Sequence, residues 1–93
     1  MTISATVLSK PGCAPCTWVK RNLEKYDIPY VDRDVTVDPA ALEQLLDLYA
    51  DTRRGQHPST PVTLLVSELG VETVFGPDIH SAIKRHTRAA AAA

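Results

Sequence analysis

Four segments of the chain have the alternating or continuously apolar pattern of β-strands. They are residues 3–8, 30–35, 62–66 and 71–75. The first and third segments are the most apolar and are expected at the centre of a sheet, whereas the charged second and fourth are expected at its edges. A short turn over residues 67–70 predicts that the last two strands form an antiparallel hairpin.

Three further segments repeat apolar residues at the spacing of one helical face. The repeating residues are Val19, Leu23 and Tyr26, then Leu42, Leu45, Leu46 and Tyr49, then Ile79, Ala82, Ile83 and His86. Pro15 suits the first turn of the first helix, and Pro29 is expected to end it. Asp38 followed by Pro39 is a typical cap and first residue for the second helix.

The predicted order is therefore β-α-β-α-β-β-α, with the first two strands parallel and joined by a right-handed crossover. This order indicates an α/β fold with a four-stranded mixed sheet covered by helices. Ninety-three residues fit one domain, which we assign to residues 1–88. The alanines at 89–93 form a low-complexity tail, either a natural extension of the last helix or a cloning remnant.

The charge balance limits the classes of partner. Ten Lys and Arg against eleven Asp and Glu give a net charge of −1, which argues against a nucleic-acid partner. No apolar run has the length of a membrane span, and the N-terminus lacks the basic start and apolar stretch of a signal peptide. We expect a cytoplasmic protein, monomeric and without a membrane partner.

The two cysteines, Cys13 and Cys16, lie between the first predicted strand and the first helix. A C-x-x-C pair beside a β-α-β pattern is typical of a redox site. Unpaired N–H groups and the helix dipole at that position favour a thiolate, so we expect the pKa of Cys13 to fall from about 8.5 toward 7 or below. Cys16 is expected to be more buried and to resolve the mixed disulfide.

Two other interpretations of the cysteine pair are less favoured. A zinc site needs four ligands, and the remaining soft ligands, His57, His80 and His86, lie far outside finger spacing, so no metal is predicted. A buried structural pair fits poorly with the proline and glycine directly before Cys13 and the proline inside the motif.

Residues 3 to about 86 resemble the glutaredoxin and NrdH-redoxin branch of the thioredoxin-fold family. The resemblance rests on the segments Lys10-Pro11-Gly12-Cys13-Ala14-Pro15-Cys16, Ile28-Pro29-Tyr30-Val31-Asp32-Arg33-Asp34-Val35, Thr60-Pro61-Val62 and Gly76-Pro77-Asp78-Ile79. It implies a thioredoxin fold and a cis Pro61 that faces the disulfide. It also implies that the backbone of Thr60 pairs with an incoming substrate strand.

The resemblance assigns further substrate-binding residues. Lys10 matches a lysine that contacts the glutathione carboxylate, although it equally suits a solvated turn or support of the Cys13 thiolate. Gly76 and Asp78 match the region that holds the other end of glutathione, and Asp78 is alternatively a cap of the last helix. Ala14 and Pro15, between the cysteines, complete the predicted set.

The departures from the family pattern bear on the electron donor. Pro15 stands where dithiol glutaredoxins have Tyr and NrdH-redoxins often have Gln, and a single Gly76 replaces the usual pair of glycines. Trp18 either shields the disulfide, joins a docking patch or packs in the fold. Arg53 and Arg54 are either solvated loop residues or a grip for an acidic partner.

The sequence thus predicts a dithiol–disulfide oxidoreductase with no bound cofactor. In the favoured version, an NrdH-like redoxin passes electrons from NADPH and thioredoxin reductase to a protein disulfide such as that of ribonucleotide reductase. The alternative is a glutaredoxin reduced by glutathione. Less favoured are a glutaredoxin that binds an iron–sulfur cluster between two copies, and an interaction domain without chemistry.

Overall fold

All seven predicted elements are present, in the predicted order, in a computed structural model that describes residues 2–92. Their bounds are β1 Ser4–Ser9, α1 Ala14–Lys25, β2 Tyr30–Asp34, α2 Pro39–Thr52, β3 Val62–Ser67, β4 Gly70–Phe75 and α3 His80–Ala92. Helix α3 continues past residue 88 into the alanine tail. Ala93 lies outside the described residues.

The four strands form one mixed sheet in the order β2-β1-β3-β4. Strands β1 and β2 are parallel, with Ala5 opposite Tyr30. Strand β3 is antiparallel to both β1 and β4, and Val62 lies opposite Phe75. The two most apolar strands are central, as predicted, because their side chains are covered on both faces of the sheet.

Successive side chains of β1 point to opposite faces of the sheet. Since apolar side chains lie on both faces, helices pack against both of them. Val7 belongs to a core formed with α1 and α3, whose buried members are Ala5, Val7, Val19, Leu23, Ile28, Leu65, Ile79, Ala82 and Ile83. Leu8 belongs to a second core formed with α2, whose buried members are Leu8, Val35, Ala41, Leu45, Tyr49 and Val62. Helices α1 and α3 therefore lie on one face and α2 on the other. Among residues 2–92, no helix has the length and apolarity needed to cross a lipid bilayer.

The start of α2 follows the predicted capping pattern. The Asp38 carboxylate accepts hydrogen bonds from the amides of Ala40 and Ala41 at 3.1 and 3.2 Å. These amides are among the donors that a helix leaves unpaired at its N-terminus. Arg33 of β2 also donates to this carboxylate, at 3.2 Å, and so joins the edge strand to the start of α2.

The predicted buried face of α2 is partly wrong. Leu42 and Leu46 are 41% and 46% exposed, whereas the buried residues of this helix are Ala41, Leu45 and Tyr49. The helix carries more apolar positions than one face of a sheet can cover. The face of α2 that packs on the sheet is therefore rotated about the helix axis by about one residue from the predicted face.

Tyr26 also differs from its predicted place on a buried helix face. Helix α1 ends at Lys25, and Tyr26 follows as its C-cap. The ring is therefore partly exposed, and its hydroxyl lies 2.7 Å from Nε2 of His80 in α3.

The hairpin of β3 and β4 is tied to α3 through the buried His86. The imidazole is only 1% exposed; its Nδ1 is hydrogen-bonded to the Ser67 hydroxyl, and its Nε2 lies 3.1 Å from the Glu72 carboxylate. A hydrogen bond from Arg85 is the main cause that lowers the pKa of Glu72, and the hydrogen bond with His86 lowers it further. Partial burial of the carboxylate opposes this shift but does not cancel it. Both ring nitrogens of the buried histidine thus have a hydrogen-bond partner. These two contacts fix the position of α3 against the β3–β4 hairpin.

The burial of α2 predicts different effects for two neighbouring leucines. Leu45→Ala removes a side chain that is 4% exposed, so it should lower the free energy of unfolding by about 2–5 kcal/mol. Leu46→Ala changes a half-exposed side chain and should cost less than about 1 kcal/mol. Urea unfolding of both variants checks this difference, and an equal loss would contradict the observed orientation of α2.

Candidate redox site

Strand β1 ends beside the first turn of α1, and a tight turn joins them. Gly12 in this turn has a φ of 72°, a left-handed conformation that strains any residue with a Cβ. The next residue, Cys13, is extended and is the N-cap of α1. Its carbonyl accepts from the amide of Thr17 at 3.1 Å, so the helix starts directly behind the cysteine.

Cys13 and Cys16 form a disulfide with an S–S distance of 2.09 Å. Cys13 is 8% exposed and Cys16 is 1% exposed, which confirms the predicted difference in burial. A partner molecule can therefore reach the sulfur of Cys13 more readily than that of Cys16. This difference agrees with the expectation that Cys13 attacks an external disulfide.

Two donors point at the sulfur of Cys13. The amide of Cys16 donates to it at 3.1 Å, and the Thr60 hydroxyl donates to it at 3.6 Å. Both groups stabilise negative charge on this sulfur, in addition to the positive end of the α1 dipole. The surroundings of Cys13 therefore favour the thiolate in the reduced protein.

The peptide bond between Thr60 and Pro61 is cis, as the sequence resemblance implied. The Thr60 carbonyl oxygen lies 3.9 Å from the sulfur of Cys13. Behind it, the carbonyl of Pro61 accepts from the amide of Gly76 at 3.0 Å. The fold thus brings Thr60 to Cys13, although the two residues are 47 positions apart in sequence, and Gly76 supports the loop through Pro61.

An apolar groove of about 340 Å³ adjoins Thr60 on the α2 side of the sheet. Its lining residues are Lys10, Val35, Leu42, Leu45, Leu46, His57, Pro58, Ser59 and Thr60. The sequence interpretation missed this groove because it placed Leu42 and Leu46 on the buried face. The signal that could have revealed it is the excess of leucines on α2, which exceeds what one buried face needs.

The other predicted site residues make no hydrogen bond to the disulfide within residues 2–92. Ala14 and Pro15 are exposed beside Cys13, and Lys10 is exposed at the edge of the groove. Asp78 is exposed, and within residues 2–92 its carboxylate makes no hydrogen bond to the start of α3. The capping alternative for Asp78 therefore has no support in this structure.

Trp18, Arg53 and Arg54, for which the sequence left several roles open, lie at three different places on the surface. Trp18 is 56% exposed on α1. The guanidinium of Arg53 lies 4.8 Å from the centre of the Phe75 ring, while Arg54 is exposed in the loop after α2. In the part of the chain that the structure describes, no group of three or more His, Cys, Asp or Glu could hold a metal ion.

The arrangement defines a class of protein. A cysteine at a helix start, a second and more deeply buried cysteine disulfide-bonded to it, and the Thr60 loop opposite them suit reversible exchange between a dithiol and a disulfide. These features are those of a thiol–disulfide exchange site.

Comparison with known proteins gives the family. The family model for Glutaredoxin matches residues 5–63, and the chain belongs to this family. The thioredoxin-like protein BC3987, known from a crystal structure, is 31% identical in sequence to this chain. The two structures superpose with a TM-score of 0.66 over 86% of this chain and 96% of BC3987. The NrdH-redoxin of Escherichia coli is 19% identical, with a TM-score of 0.65, covering 89% of this chain and 95% of that one. These likenesses confirm the thioredoxin fold.

Curated proteins are similar over a shorter stretch. The global transcriptional regulator Spx 1 of Bacillus cereus is 34% identical over 50 residues, which are 54% of this chain and 38% of that protein. The regulator Spx of Listeria innocua is 30% identical over a stretch of the same length. The chain thus matches less than half the length of these curated relatives.

The hydrogen bond from Thr60 predicts a change in cysteine reactivity. Thr60→Val removes the hydroxyl donor and should raise the pKa of Cys13 in the reduced protein, because a hydrogen bond of this kind contributes about 1 kcal/mol. Alkylation by iodoacetamide at neutral pH should slow by roughly two- to tenfold, while Thr60→Ser should retain the wild-type rate. Equal alkylation rates for all three proteins across the pH range would contradict this role.

Proposed function

We propose that this protein is an NrdH-like redoxin, which reduces protein disulfides with electrons from NADPH and thioredoxin reductase. The disulfide of ribonucleotide reductase is the proposed class of target. The observation that carries the proposal is the position of Cys13, whose sulfur faces Thr60 beside an apolar groove.

The proposed reaction has two exchange steps. The Cys13 thiolate attacks one sulfur of the partner disulfide, a mixed disulfide forms, and the partner's other sulfur leaves as a thiolate that takes up a proton. Cys16 then loses its proton and attacks the sulfur of Cys13. The partner's second sulfur leaves as a thiolate, and Cys13 and Cys16 are now joined in a disulfide. The protein stays oxidised until the electron donor supplies two electrons and reduces this disulfide.

The apolar groove supports a protein as the partner. An extended partner strand that pairs with the backbone of Thr60 would place alternate side chains toward the groove. Leu42, Leu46 and Val35 offer that side chain an apolar surface. Glutathione has no apolar side chain to fill such a groove, so the groove adds affinity for protein disulfides in particular.

Glutathione remains the second candidate donor because two charged groups are free to bind it. Lys10 is exposed at the edge of the groove, and the exposed carboxylate of Asp78 has no hydrogen-bond partner within residues 2–92. Against this candidate, only one glycine, Gly76, precedes Pro77 and Asp78, and Pro15 replaces the family's tyrosine between the cysteines.

The roles of the two cysteines predict opposite behaviour of their variants. Cys13→Ser should abolish reduction of a protein disulfide, because it removes the attacking thiolate. Cys16→Ser should leave the first step intact and accumulate a mixed disulfide, visible by mass spectrometry of the intact protein. Turnover of Cys13→Ser at the wild-type rate would refute the assignment, as would trapping by Cys13→Ser in place of Cys16→Ser.

The electron donor is tested by NADPH consumption with insulin as the disulfide substrate. We expect turnover with thioredoxin reductase and a rate at least about tenfold lower with glutathione and glutathione reductase. The Cys13→Ser protein serves as the blank in both assays. Faster turnover with glutathione would overturn the NrdH-like assignment and indicate that Lys10 and Asp78 bind glutathione.

A further inference from the structure

Charge is divided between the two sides of the sheet. Helices α1 and α3, on one side, together carry six Lys or Arg residues and one Glu. Helix α2, on the other side, carries three acidic residues and no Lys or Arg. The helices on one side of the sheet are therefore mainly cationic and the helix on the other side is anionic, although Arg53 and Arg54 directly follow α2 and Lys10 lines the groove beside it.

Two of the six cations are neutralised within the fold. Lys20 pairs with Asp32 at 2.9 Å, and Arg85 pairs with Glu72. The other four are Arg21, Lys25, Lys84 and Arg88. All four are exposed, and within residues 2–92 none of them forms an ion pair.

The four unpaired cations belong to one surface. Lys84 and Arg88 of α3 line a shallow groove of about 350 Å³ with Tyr26, which directly follows α1. The ammonium of Lys25 lies 5.8 Å from the centre of the Tyr26 ring. Tyr26 thus joins the positive charges of the two helices.

This surface also reaches the disulfide. Ala14, Trp18, Arg21 and Lys25 are exposed at helical spacing along α1, and Ala14 directly follows Cys13. At 1.5 Å per residue, the stripe from residue 14 to residue 25 is about 16 Å long. The exposed indole of Trp18, which lines a surface recess with Arg21 and Lys25, lies between the disulfide and the charges.

We propose that this cationic face, formed by Trp18, Arg21, Lys25, Lys84 and Arg88, docks an acidic surface of the protein whose disulfide Cys13 reduces. The inference rests on the proposed function and adds the chemistry of the partner to it. Trp18 supplies an aromatic contact near the exchanging sulfurs, and the cations further along α1 and α3 attract the acidic surface and orient it. Such complementarity raises the rate of productive encounter more than it raises affinity.

A protein partner fits this face better than a nucleic acid does. Four unpaired cations beside an exposed tryptophan and tyrosine match the mixed aromatic and charged character of protein interfaces. The net charge of −1 gives a phosphate backbone little general attraction outside this face. A redox partner, in contrast, needs to meet only the face beside Cys13.

The test uses two synthetic peptides with the same disulfide loop, one flanked by glutamates and the other by lysines. Oxidation of the reduced protein is followed by the fluorescence of Trp18, the single tryptophan. At low salt the wild-type protein should reduce the acidic peptide at least about tenfold faster than the basic one, the lower end of electrostatic rate enhancements. The difference should shrink as added salt screens the charges.

Charge-reversal variants locate the effect. Arg21→Glu and Arg88→Glu should each slow reduction of the acidic peptide by about threefold, and their combination by about tenfold. Arg54→Glu changes the net charge by the same amount as either single variant but lies in the loop after α2, so it should keep the wild-type preference.

Three results would overturn the proposal. The first is equal reduction rates for the two peptides, and the second is a fall in the rate for the acidic peptide that is as large with Arg54→Glu as with Arg21→Glu. The third is tight binding of a DNA duplex at physiological salt without any preference between the peptides. Hydroxyethyl disulfide, a small neutral substrate, separates this failure from failure of the proposed function. Wild-type protein that cannot reduce hydroxyethyl disulfide would refute the redox function itself, whereas normal reduction with no peptide preference would refute only the docking face.

Discussion

The chemistry of this chain depends on the first turn of α1, where a cysteine holds the position of the helix cap. The Cys13 sulfur accepts the amide of Cys16 at 3.1 Å, a donor that would otherwise have no partner inside the helix. The same bond holds Cys13 beside Cys16, the proposed resolving cysteine, and the dipole of α1 adds to the stabilisation of a thiolate. Strand β1 behind the turn and Thr60 in front of it fix the sulfur in space.

The fold around this turn gives the two sides of the disulfide different character. On the α2 side, the leucines that the sheet leaves uncovered line an apolar groove next to Thr60. On the other side, α1 and α3 present exposed cations and the exposed Trp18. A partner disulfide that reaches Cys13 therefore meets an apolar surface on one flank and a positive one on the other. Small disulfides would use neither flank, so the proposed function places selectivity among partners outside the cysteine pair.

Features encoded by neighbouring residues could be predicted from the sequence. The element order, the cap at Asp38 and the place of Cys13 at a helix start follow from spacing, proline positions and polar caps. The excess of leucines on α2 signals that some of them stay uncovered, but which ones are exposed depends on how α2 is rotated against a sheet built from distant strands. The groove at Thr60 likewise depends on the tertiary structure, because its lining residues come from four separate segments of the chain. The charge division was also hidden, since a net charge says nothing about which helices share a face.

The most direct test of this account is a pH titration of the thiols in the reduced protein, followed by thiolate absorbance in the ultraviolet. The account predicts one thiol with a pKa well below the ordinary value of about 8.5, and predicts that this early transition disappears in Cys13→Ser and persists in Cys16→Ser. Two thiols that both titrate near 8.5, or an early transition that persists in Cys13→Ser, would contradict the central role assigned to the first turn of α1.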